Sequence, residues 1–135
     1  MDQHDTTAIV IEKEEKFLLI QRGKAPEKGF WAVPGGHVDE GETALECAKR
    51  ECKEEVGDVE VEKKHFFVFV HDVRIGHRHR CHTFRGKMKG PVKAGSDAED
   101  AKWFSLEEME NLELTHYTKR IFNYLLFGDF KNNLF

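Results

Sequence analysis

Cysteine and proline are scarce in this 135-residue sequence, at three residues each. Cys47, Cys52 and Cys81 are odd in number and form no Cys-x-x-Cys pair, which excludes a disulfide framework and reads as reduced thiols in a cytoplasmic protein. Long hydrophobic runs are absent: the longest, Phe66 to Val70, is five residues, far short of a membrane span. No basic excess exists either. Lys and Arg total 21 against 25 Asp and Glu, a net charge of −4, so nucleic acid is not the expected partner. The start, Met1-Asp2-Gln3-His4-Asp5, is polar and has no signal-peptide pattern. No repeat, low-complexity stretch or linker occurs. What is present is a chain 39% hydrophobic and 34% charged, with eleven Phe and two Trp to anchor a core. Residues 1–135 read as one domain, large enough to fold without disulfides or a structural metal.

Short apolar runs at Thr7–Ile11 and Phe17–Ile20, split by Lys13-Glu14-Glu15, predict a hairpin. Further strands are expected at Phe30–Val33, halted by Pro34, and at Phe66–Val70, His79–Met88 and Ala101–Phe104. One helix starts at Thr43-Ala44-Leu45-Glu46, a capping box, and stops at Gly57. A second runs from near Thr115 to Gly128, and a single turn begins at Ser105 with Glu108. Strands, a helix, more strands and a final helix make an α+β domain.

The chemistry concentrates in the first helix. Glu51, Glu54 and Glu55 fall on one stripe, where like charges repel by a few tenths of a kcal/mol per pair, about 0.2–0.5. Beside them Leu45, Ala48, Cys52 and Val56 form an apolar stripe, while Lys49 and Lys53 face the other way. Taken alone, three glutamates read first as a solvated acidic face with Arg50 and Lys53 as local partners, and oxygen ligands for a hard divalent cation are the alternative.

The surrounding spacing adds to this. Gly36, Glu42, Arg50, Glu51, Glu54, Glu55 and Gly57 follow the pattern Gly-x5-Glu-x7-Arg-Glu-U-x-Glu-Glu-x-Gly-U, with U a bulky aliphatic residue. This stretch, 36–58, resembles the Nudix box of MutT-like hydrolases. Chance agreement at seven positions is on the order of one in a hundred million per start. Cys52 and Asp58 depart at the two U positions, and neither is a ligand position. The lead-in Gly29-Phe30-Trp31-Ala32-Val33-Pro34-Gly35-Gly36 also resembles the family.

The resemblance implies an α/β/α sandwich around a mixed sheet and hydrolysis of a nucleoside diphosphate linked to another group. It implies one to three Mg2+ or Mn2+ ions. Glu51 and Glu55 would be principal metal ligands, Glu54 a further ligand or the base for water, and the Gly35 carbonyl a further ligand. Arg50 would orient the glutamates, and Glu42 would tie the loop to the helix. A later acid, Asp97, Glu99 or Asp100, is a candidate ligand or substrate contact, because Gly95 to Ala101 resembles a loop of small ADP-ribose pyrophosphatases. An ordinary acidic turn is the alternative for each.

For the substrate, Lys93 to Asp97, Trp103-Phe104 and Leu114-Thr115-His116 favour ADP-ribose or a related nucleotide sugar or dinucleotide. A house-cleaning (d)NTP pyrophosphohydrolase is the alternative, with a nucleotide-sensing binding module and an RNA-end hydrolase behind it. Arg22 is a candidate phosphate contact or an exposed arginine; His37 a substrate contact or a loop histidine; Trp31 a base-stacking ring or core packing. In the run 77–82, alternation puts His77, His79 and Cys81 on one strand face and Arg78, Arg80 and His82 on the other. A solvent or subunit-interface strand is the expectation, with anion binding and a zinc site as alternatives. Phe122, Phe127, Phe130 and Phe135 would serve a homodimer interface or the core.

Overall fold

The computed structural model describes residues 2–95 and 98–128. Its elements run β1 (Asp2–Lys13), β2 (Lys16–Arg22), β3 (Trp31–Ala32), β4 (Gly35–His37), α1 (Ala44–Glu55), β5 (Val59–Val61), β6 (Phe67–Arg74), β7 (His77–Met88), β8 (Ala98–Ser105), α2 (Leu106–Met109) and α3 (His116–Phe127). The eight strands form one mixed sheet along the path β3-β2-β1-β7-β5, with β4 beside β1, β6 beside β7 and β8 beside β2. β1 and β7 are parallel, in register from Asp2 opposite His77 to Ile11 opposite Gly86. The β1–β2 hairpin pairs only beside its turn, Glu12 with Phe17 and Lys13 with Lys16. Beyond it β2 turns to β8 and β1 to β7.

Both faces of the sheet are covered, so β1 and β2 are apolar at successive positions rather than alternating. Ala8, Val10, Phe17 and Leu19 pack with Met109 of α2 and with Ile121 and Phe122 of α3. Ile9, Ile11, Leu18 and Ile20 pack with Phe84 and with Ala48, Cys52 and Val56 of α1. The period of two therefore sends neighbouring residues into two cores, one under α1 and the other under α2 and α3. The result is the α+β, α/β/α arrangement expected.

Helix α1 begins as its sequence predicts. The Thr43 hydroxyl accepts from the Glu46 N–H at 3.1 Å, and the Glu46 carboxylate accepts from the Thr43 N–H at 2.9 Å. Val56 is the C-cap, and Gly57, at φ +118°, turns the chain away. α3 grips the segment leading to the Gly35-Gly36 turn. The Thr118 hydroxyl accepts the Val33 N–H at 3.1 Å, and the Tyr117 hydroxyl donates to the Val33 carbonyl at 3.0 Å. The strand predicted over Phe30–Val33 is therefore shorter, Trp31–Ala32, because Val33 gives its backbone groups to helix side chains instead of a neighbouring strand. β4 and β5, three residues each, carry no periodic signal and were not expected. Phe122 is fully buried, edge-on to Phe17 at 4.9 Å, and belongs to the core. Phe127 is partly exposed, and Phe130 and Phe135 lie outside the described residues. Among the described residues no helix is long and apolar enough to cross a membrane.

Thr118 is fully buried and also accepts from Thr115 at 2.8 Å. Thr118→Val keeps its shape but strands the Val33 N–H. Urea denaturation should show a loss of about 1–3 kcal/mol. Unchanged stability would mean that α3 does not hold this segment through its hydroxyl.

Candidate active site

A cleft of about 750 Å³ opens where β4 meets the C-terminal half of α1. Glu51, Glu54 and Glu55 line one part of it, with Gly35 and Gly36 beside them. Arg50 organises these carboxylates. Its Nε and Nη2 grip Glu42 in a two-point fork at 2.7 and 3.0 Å. Nη1 donates to Glu51 Oε1 at 2.9 Å and to Glu54 Oε1 at 3.3 Å. Nη2 also reaches the His37 carbonyl at 3.1 Å and Asp39 at 3.3 Å. The fork holds the Glu42 carboxyl down at about 2. Glu42 in turn accepts the Asp39 N–H at 3.0 Å, so the loop before α1 is tied to the helix.

Glu55 differs from its neighbours. It is only 8% exposed, and its hydrogen bond is the Gly35 N–H, 2.9 Å from Oε1. Burial, with Glu51 nearby, pushes its carboxyl up to about 8. Burial raises Glu51 as well, opposed by Arg50. Gly35 is required by close approach, because a Cβ there would strike the Thr7 carbonyl, whereas one on Gly36 would displace the Glu51 carboxylate. The segment between β7 and β8 supports the far end. The Gly95 N–H donates to the Glu55 carbonyl at 3.1 Å and the Lys93 N–H to the Val56 carbonyl at 2.8 Å.

This donor set fits a hard divalent cation. It consists of oxygens, it crowds carboxylates that repel one another, and one of them, Glu55, is buried with the Gly35 N–H as its hydrogen-bond donor. Among the described residues no three His, Cys, Asp or Glu side chains already converge at ligand distance. A cation would draw the oxygens in by side-chain rotation.

The other candidates divide. Arg22 lines the cleft, its Nε donating to the Pro26 carbonyl at 2.8 Å. His37 lines it too, with burial lowering its basicity. Glu99 is exposed in β8 and is not among the residues lining this cleft; Asp100 accepts from the Ala101 N–H at 2.8 Å. Asp97 lies outside the described residues. Trp31 packs edge-on to Phe104 at 4.9 Å, which is core packing. The strand carrying His77–His82 is not simply a solvent or interface strand. His77, His79 and Cys81 face into the cleft, whereas Arg80 and His82 bind Asp5, at 2.8 and 3.0 Å, on the opposite face. His71 and Arg74 of β6 also line the cleft and were not singled out by sequence. Their signal is the β6–β7 register, which has no local trace.

The NUDIX domain is matched over residues 2–125. An ADP-ribose pyrophosphatase of Methanocaldococcus jannaschii is 38% identical over 117 residues, covering 84% of this chain and 69% of that protein. A Bacillus subtilis protein with the provisional name 8-oxo-dGTP diphosphatase is 32% identical, covering 92% of this chain and 76% of its own. The crystal structure of a MutT NUDIX hydrolase from Burkholderia pseudomallei superposes with a TM-score of 0.77 at 28% identity, covering 87% of this chain and 94% of that one. The chain belongs to the Nudix family. It is a hydrolase acting on pyrophosphate bonds, of a family that generally needs a divalent metal.

Glu55 sets a pH dependence for the metal-free protein. The unfolded chain loses this proton near the ordinary value of about 4.3. The folded chain keeps it up to about 8. Between those values the native state binds more protons, so stability falls as pH rises. Metal-free Glu55→Gln should therefore be more stable than the parent at pH 8, with the gain shrinking toward pH 5. Denaturant midpoints across that range check this; a parent equally stable at pH 8 would contradict it.

Proposed function

We propose that this protein hydrolyses ADP-ribose or a closely related nucleotide sugar or dinucleotide, using Mg2+ or Mn2+, in the cytoplasm. The observation that carries the reading is the gathering of Glu51, Glu54 and Glu55 on a cleft that Arg22 also lines. Glu51, Glu55 and the Gly35 carbonyl are assigned as ligands, with Glu54 joining them or taking the proton of the attacking water. Glu54 suits that role because its side chain is 45% exposed and reaches solvent beside the two deeper carboxylates. The ions, when bound, neutralise diphosphate charge and activate water for attack at phosphorus. Arg50 keeps the carboxylates aimed into the cleft, and Glu42 holds Arg50. Arg22 is assigned to a substrate phosphate, and His37 to the rim where the substrate enters. The substrate reading is supported by the name of the Methanocaldococcus relative, similar over most of this chain.

A house-cleaning triphosphate reading stands second, supported by the name of the Bacillus relative. Hydrolysis assays with ADP-ribose, other nucleotide sugars, dinucleotides, and normal and oxidised triphosphates separate the two. The expected result is highest kcat/KM on ADP-ribose, yielding AMP and ribose 5-phosphate, with kcat lowered on the order of a hundredfold or more in Glu54→Gln and Glu55→Gln. Preference for a triphosphate with release of pyrophosphate would install the second reading. Unchanged turnover in both variants would remove the role given to α1.

A further inference from the structure

The cleft has a second set of donors that the glutamate chemistry does not use. Sheet register assembles it. In the parallel β1–β7 pair His4 lies opposite His79, and in the antiparallel β6–β7 pair His71 lies opposite His79. His37 of β4 lies opposite Thr6, two residues along β1 from His4. Paired residues share a sheet face, as do residues two apart, so His4, His37, His71, His77 and His79 all project to one side. The arginines between them on β7 go to the other side, where Arg78 binds Asp72 at 2.9 Å and Arg80 binds Asp5 at 2.8 Å.

The rings are packed together. Centroids are 4.8 Å apart for His4 and His77, 5.1 Å for His77 and His79, and 5.0 Å for His37 and His79. Two imidazoles bound to one tetrahedral ion, with metal–nitrogen bonds of about 2.0–2.1 Å, place their centroids about 5 Å apart. His71 and His79 stand 5.4 Å apart, and His4 is wider from His79 and His37, at 6.4 and 6.5 Å. His77 Nδ1 and His79 Nε2 are buried and have no hydrogen-bond partner. Buried polar nitrogens without partners are uncommon in folded proteins, and each of these needs something to bind.

We propose that His77 and His79, joined by His4 and His37, form a binding site for a divalent transition-metal ion of the Zn2+ class, separate in its selectivity from the glutamates of α1. The choice of a cation over an anion follows from the packing: imidazolium rings this close together would repel one another, so the cluster favours neutral rings whose unpartnered nitrogens can offer lone pairs. Nitrogen donors suit Zn2+, Ni2+ and Cu2+, whereas Mg2+ prefers oxygen. Among the described residues no three His, Cys, Asp or Glu side chains form a ready metal-holding group, either at these histidines or on α1. In both places the last step is rotation of side chains. Cys81 is not a ligand: it is buried beside Thr83, 3.9 Å from its hydroxyl, and burial raises its thiol to about 11. This ligand set differs from the His-Cys zinc site that the β7 sequence alone suggested. It draws on three strands instead of one.

The test uses the full chain without an affinity tag, stripped with chelator and kept in excess Mg2+ so that the oxygen sites are occupied. Zn2+ is titrated calorimetrically, and Cu2+ is added for electron paramagnetic resonance. We expect one tight Zn2+ equivalent and a Cu2+ spectrum with hyperfine splitting from three or more nitrogens. Affinity should weaken by about tenfold or more in His77→Gln and in His79→Gln, but not in His82→Gln on the opposite face. The parent spectrum needs no variant, so it decides the matter even if a substitution impairs folding. Absence of a tight equivalent, a spectrum without multiple nitrogens, or an ion lost in Glu51→Gln instead of the histidine variants would overturn the proposal.

Discussion

Arg50 carries the constraint on which the rest of the site depends. Three carboxylates within five residues of one helix repel each other, and Glu55 is additionally buried. Each of these features weakens the helix. One guanidinium offsets the crowding by contacting Glu42, Glu51 and Glu54 together, along with Asp39 and the His37 carbonyl, while Glu55 accepts from the Gly35 N–H. A lysine, with a point charge and no fork, would not reproduce this arrangement. The supports around Arg50 serve the same end. The capping box at Thr43 sets where α1 begins, Ala48, Cys52 and Val56 press it onto the sheet, and α3 holds Val33 ahead of the glycine turn. Stability spent on crowding charge at the cleft is recovered in two apolar cores away from it.

The cleft is also divided by ligand chemistry. Helix α1 supplies oxygens, and the sheet supplies nitrogens from strands β1, β4 and β7. The carboxylates and His37, His77 and His79 line a cleft open to a phosphate-bearing substrate. The division follows from geometry: helical spacing clusters Glu51, Glu54 and Glu55 locally, whereas strand pairing clusters histidines that are as far apart in sequence as His4 and His79.

That difference explains what could be read in advance. The α1 carboxylates, Arg50, Glu42 and both capping boxes depend on contacts within a turn or two, or on a loop of fixed length. Their spacing in the sequence therefore states their arrangement. The apolar runs of β1 and β2 predict strands, but a run alone does not state two-sided burial: Phe66–Val70 is equally unbroken, yet Val68 and Val70 are exposed. By contrast, β4 forms because Gly35 and Gly36 can lie close against β1, and nothing in a Gly-Gly-His triplet announces a strand. The histidine wall required knowing that β1 and β7 run parallel in one particular register. Alternation along β7 was legible, but which face met the cleft was not. Val33 shows the reverse: its sequence suits a strand, and α3 overrides it.

The most direct test of the account is a Mn2+ titration that follows free ion by electron paramagnetic resonance, comparing the parent with a Glu51→Gln/Glu55→Gln double variant whose fold is verified by circular dichroism. The account predicts saturable Mn2+ binding in the parent and its loss in a folded double variant. Equal binding by both proteins would place the ion elsewhere and contradict the assignment of α1 as the metal-holding element.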